Sequence, residues 1–100
     1  MLINITKDKS TSTLTLHGRF TFAVHGEFRE AFNTAVDNGS KVVVVDLHDV
    51  EYMDSAALGM LLVIRDRAQG YGMEIVISRP AKYVKSILDI ANFQKLFQII

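Results

Sequence analysis

Asp54 and Ser55 are the residues best placed to do chemistry, standing where an apolar run gives way to a helix-like segment in VVVVDLHDVEYMDSAALGMLL. A short oxygen side chain at such a junction can cap the helix, accepting from its first free backbone N–H groups. No Glu or Gln follows three residues on to complete a capping box. The same free N–H groups and the positive end of the helix dipole can also receive a phosphate. Ser55 is therefore a candidate phosphorylation site, because a phosphoserine there would be tolerated without unfolding the chain.

Other constellations are weaker. Asp46 closes the run VVVVD, as a phosphoaccepting aspartate would, but the magnesium-binding acidic pair such an acceptor needs is lacking, since LINITKD offers only Asp8. Asp46 is expected to be a structural carboxylate at a strand end. His17, His25 and His48 fall at spacings that match no compact metal-ligand pattern, and scattered surface histidines are the simpler account. A hydrolase could use Ser55 as nucleophile with His48 or His25 as base, yet no G-x-S-x-G elbow is present. No phosphate-binding glycine loop occurs either, so no cofactor is expected. A small hydrolase-like or phosphotransfer enzyme acting through Ser55 or Asp46 stands as the alternative reading.

Composition narrows the classes. One hundred residues suit one domain spanning 1–100. Lys+Arg and Asp+Glu both number 11, which removes the usual electrostatic case for nucleic acid. Apolar residues make up 49% and charged residues 22%, as in a globular chain. There is no Cys, hence no disulfide framework. MLINITKDKS lacks a signal-peptide core and no apolar run has the length of a membrane span, so a cytoplasmic protein with no membrane partner is expected.

The elements that must position Ser55 follow from periodicity. Leu2–Thr6 and Thr13–His17 read as strands of an antiparallel hairpin turning through the polar residues 7–11, with Gly18 ending the second. Ala23–Val36 carries Phe28, Ala31, Phe32, Ala35 and Val36 at helical spacing and stops at Asn38-Gly39. Val42–Val45, apolar throughout, predicts an interior strand covered on both faces. A polar loop, His48–Met53, then leads to the helix opening at Asp54-Ser55. Beyond the Gly70-Tyr71-Gly72 break come a strand (Met73–Ile77), a helix with Pro80 in its first turn and Tyr83, Val84, Ile87 and Leu88 on its apolar face, and an apolar tail after Asn92. The order predicts an α/β fold: a mixed sheet of four or five strands, the first hairpin strand antiparallel and the next three parallel, with crossover helices. Functional residues then belong beyond the carboxyl ends of the strands, where Ser55 falls.

YMDSAALGMLL, with VVVVDLHDV before it and the Gly-Tyr-Gly break and MEIVIS after it, resembles a STAS domain, a family joining sulfate transporters and anti-sigma factor antagonists. The likeness is to the small free-standing antagonists and extends to Leu16–Phe20 and Ile87–Phe93. It implies that Ser55 is the phosphorylated serine, with Asp54 its acidic neighbour and Leu58-Gly59 the family's Leu-Gly step; Ala56-Ala57 departs from the usual hydroxyl-Gly pair. It further implies a non-enzymatic regulator that cycles between an anti-sigma factor or related regulator with serine kinase activity and a PP2C-type phosphatase, which restores the unphosphorylated form.

Stepping along the second helix at about 100° per residue places Ala57, Met60, Leu61, Ile64 and Ala68 on the side to bury. Ser55, Gly59, Leu62 and Asp66 share the opposite stripe, with Val63 beside them. With Asp54, these are the expected partner-binding residues. Gly59 costs about 1 kcal/mol against Ala inside a helix. It must serve either close packing within the domain or the approach of a partner's backbone.

Overall fold

The computed structural model describes residues 2–100. β1 (Leu2–Asp8) and β2 (Thr11–Phe20) form an antiparallel hairpin that turns tightly at Lys9-Ser10. A 3-10 turn at Phe22–Val24 leads into α1 (His25–Asp37), followed by β3 (Val42–Met53) and α2 (Ser55–Gly70). β4 (Glu74–Ser78), α3 (Lys82–Ile90), a second 3-10 turn (Phe93–Lys95) and β5 (Gln98–Ile99) complete the chain. The sheet has the order β1-β2-β3-β4-β5, antiparallel only at its first pair. This is the mixed sheet with crossover helices that the element order predicts, and the apolar tail supplies the fifth strand.

Three consecutive crossovers that advance one strand in the same direction, each right-handed, put all three helices on one face. The core follows suit. Leu14 and Leu16 of β2, Val43 and Val45 of β3 and Ile75 and Ile77 of β4 pack in one cluster with Phe28 and Phe32 of α1, Leu61 and Ile64 of α2 and Val84 and Leu88 of α3. Tyr83, expected on the apolar face of α3, is exposed.

The expectation that Val42–Val45 is covered on both faces is not met. Val43 and Val45 are buried beneath the helices, but Val42 and Val44 are only half-buried and lie outside the core cluster. Val44 sits in register between Thr13 and Val76. Its neighbours in the sheet shield it laterally, so a central strand can be apolar at every position without a second layer. The terminal segments extend the edges of the sheet instead of covering its open face.

Two further boundaries differ. Gly18 does not end β2: it takes φ +96 within a stretch where the β2–β3 register shifts twice, kinking a strand that continues to Phe20. Because β2 continues, β3 keeps a partner, and the expected loop at His48–Met53 is strand paired as far as Met53 opposite Phe20. Pro80 precedes Ala81, the N-cap of α3, so it stands just outside the helix. No helix among the described residues is long and apolar enough to cross a membrane.

Candidate functional site

The chain passes from β3 to α2 through a single residue. Asp54 is extended (φ −104, ψ 178) and is the N-cap of α2: its Oδ1 accepts the Ala57 N–H at 2.9 Å. Its Oδ2 accepts the N–H of Phe22 at 3.2 Å, and its own N–H donates to the Phe20 carbonyl at 3.4 Å. One short side chain thereby ties the start of α2 to the segment entering α1.

Ser55 is therefore the first residue of the helix, not its cap. Its side chain is exposed, and its hydroxyl makes no hydrogen bond among the described residues. With Asp54 capping Ala57, the N–H groups of Ser55 and Ala56 remain available. The arrangement can accept a phosphate at the positive end of a helix of 16 residues without displacing the cap.

Along α2, Ala57, Leu61, Ile64 and Ala68 are buried, whereas Met60 is only half-buried. Ser55, Gly59, Leu62, Val63 and Asp66 are exposed, and Asp54 is half-buried behind them. Val63 is 58% exposed and Leu62 38%. Of the two explanations for Gly59, packing within the domain does not hold: a Cβ built there would meet no atom within 4 Å.

What the sequence does not reveal is the other side of this face. Between α1 and α2 runs an apolar groove of about 430 Å3, lined by Gly59, Met60 and Val63 of α2 and by Phe22, His25 and Phe28 from the preceding segment. Ala56, Ile64, Arg29 and Arg67 also line it. Phe22 is 62% exposed and stacks on the His25 ring at 4.4 Å, while His25 Nδ1 donates to the Phe22 carbonyl. A second aromatic two positions after buried Phe20 was the available signal, since strand alternation turns Phe22 away from solvent only if the strand continues.

The remaining candidates lie elsewhere. Asp46 is 3% exposed; its Oδ2 is held by Arg79 and its Oδ1 by the backbone N–H and the ring Nδ1 of His48, at 3.0 and 2.9 Å. Burial pushes this carboxyl upward, but the hydrogen bonds from Arg79 and His48 outweigh it and hold the group below its ordinary range. A carboxylate so enclosed is a structural tie between β3 and the end of β4. His17 Nδ1 pairs with Asp49 Oδ2. No histidine ring lies within hydrogen-bond reach of the Ser55 hydroxyl among the described residues, so the Ser-His arrangement of a hydrolase does not assemble. Nor do three or more of the described His, Asp and Glu side chains converge on a metal position.

Comparison with known proteins accords with this geometry. The STAS_2 family, described as "Mlab, STAS domain", matches residues 3–99. A STAS-domain containing protein of Pseudomonas aeruginosa (strain UCBPP-PA14) is 40% identical over 92 residues, covering 92% of this chain and 90% of that protein. Among solved structures, the anti-sigma factor antagonist SpoIIAA in its unphosphorylated form superposes with a TM-score of 0.77 at 14% identity, over 99% of this chain and 87% of that one. The Bacillus cell fate determinant SpoIIAA in its phosphorylated form superposes with a TM-score of 0.75 at 12% identity, over 99% and 91% of the two chains. At such identities the likeness to SpoIIAA is one of fold.

Proposed function

The chain belongs to the STAS domain family, and we propose that it acts as an anti-sigma factor antagonist-like regulator, switched by phosphorylation of Ser55. Unphosphorylated, it binds an anti-sigma factor or a related regulator with serine kinase activity through the outward face of α2, formed by Asp54, Ser55, Gly59, Leu62, Val63 and Asp66. Phosphorylated, it lets go, and a PP2C-type phosphatase resets it. The protein itself performs no catalysis in this cycle, and the cycle is a cytoplasmic one.

One observation carries the reading. Ser55 is exposed, its hydroxyl is unengaged, and it adjoins exposed Gly59, Leu62 and Val63 on one helix. A phosphate there adds about two negative charges at the edge of an apolar contact that must lose water to form. The family supports this reading, as does the existence of a phosphorylated form of SpoIIAA, a protein of the same fold.

The experiment is capture from native cell extract with the wild-type protein, Ser55→Ala and Ser55→Asp as bait, followed by phosphosite mapping. A regulator retained by wild type and Ser55→Ala but lost with Ser55→Asp is the expected result, with phosphate confined to Ser55. Phosphate mapped to Thr34 or Ser78, or equal retention by all three baits, would sink the reading.

A further inference from the structure

We infer that the groove between α1 and α2 is a docking site for an amphipathic helix of a partner protein, one that presents apolar anchors flanked by acidic side chains. The inference deepens the proposed function and rests on its reading of the outward face of α2 as a partner surface.

Three observations point to this occupant. The first is Gly59, a glycine inside a helix with open space where its side chain would be. Nothing within the domain requires its absence, yet its absence leaves a flat place where another backbone can approach closely. The second is the apolar lining. Buried Phe28 and Ile64 underlie the groove, and exposed Phe22 and Val63 flank it, which gives a strip that matches the apolar face of a helix.

The third is charge. The groove is lined by Arg29 and Arg67 and by no carboxylate. Neither guanidinium belongs to an ion pair among the described residues; Arg67 donates to Asn33 and lies over the Phe32 ring, and Arg29 is exposed. Two uncompensated cations beside an apolar strip select an acidic partner and disfavour a basic one. A helix fits this site better than an acyl chain with an anionic head, because lipid-sized ligands are held in pockets that enclose most of their surface. Here the flanking side chains stand largely in solvent.

The test uses the whole chain and two synthetic peptides of about 18 residues, long enough to hold a helix. Both carry Leu at positions i, i+3, i+4 and i+7; one carries Glu at the flanking positions and its twin carries Lys. Binding is read by fluorescence anisotropy, with oleate and phosphatidylglycerol vesicles as a third arm. The Glu peptide is expected to bind at least about tenfold more tightly than its twin. Gly59→Leu, which fills the groove, should cost at least about tenfold with no fall in melting temperature, and Arg29→Glu, which leaves Arg67 facing a new carboxylate, should abolish the preference between the peptides. Equal affinity for the two peptides overturns the inference. So does indifference to Gly59→Leu, and so does binding of oleate or vesicles with neither peptide bound. The peptides probe the groove and the capture experiment probes Ser55. A selective peptide with no Ser55 dependence would retire the switch alone, and the reverse result would retire the groove alone.

Discussion

Asp54 and Phe22, 32 residues apart in the chain, are joined by a hydrogen bond from the Phe22 N–H to the Asp54 carboxylate at 3.2 Å. The other oxygen of that carboxylate caps α2 at Ala57. Asp54→Ala removes both, and we expect it to destabilise the domain by about 1–3 kcal/mol, more than a simple cap deletion. Urea unfolding measures this. Asp54→Asn keeps one oxygen for the cap but loses the second acceptor facing Phe22, so stability equal to wild type in Asp54→Asn would mean that the bond to Phe22 contributes nothing.

Ser55 is not the cap, so Ser55→Ala should change stability by no more than about 0.5 kcal/mol. Phosphorylation adds charge where the helix dipole favours it, so the modified protein should melt within about 5 °C of the unmodified one. Calorimetry of the two forms checks this. A collapse on modification would show that the phosphate melts the helix.

Gly59 has no intramolecular duty, so Gly59→Ala should raise stability by up to about 1 kcal/mol through helix propensity alone. A decrease in chemical unfolding would reveal a packing constraint that the open space around Gly59 does not contain.

Leu62 and Ile64 stand two positions apart on α2 with opposite surroundings, 38% and 3% exposed. Leu62→Glu should leave circular dichroism and melting close to wild type while abolishing partner capture. Ile64→Glu buries a carboxylate among apolar side chains and should unfold the domain, at a cost of several kcal/mol, roughly 3 or more.

Asp46 makes a prediction about pH. Its carboxyl is depressed in the folded state, so the folded protein binds fewer protons than the unfolded chain as acid is added. The stability it contributes is present above the unfolded-state value and is lost as pH falls through the folded one. Asp46→Asn should therefore cost about 1–3 kcal/mol near neutrality, and the gap from wild type should close below about pH 4. A gap that stays constant down to acid pH would mean that the loss is steric.

The Asp54-Ser55 junction was legible because capping is local, and the helix face from Ser55 to Asp66 was legible because its period is. What escaped was whatever depends on the partner strand. His48–Met53 looks like a polar loop, and only pairing with β2 past Gly18 makes it strand. Val42–Val45 looks doubly covered because lateral shielding by Thr13 and Val76 leaves no mark on the run itself. The groove escaped for a related reason. Phe22 and Arg29 meet Gly59 and Val63 only once α1 and α2 lie on the same face.

The sheet order repeats the chain order from first strand to last. No strand has to be inserted between two others that have already paired, and each crossover returns to an edge that is still free. A nascent chain emerges N-terminal end first. The sequence in which the ribosome delivers these strands is thus the sequence in which the growing sheet can take them up. Each newly made helix closes over apolar side chains that the strands before it have already brought together.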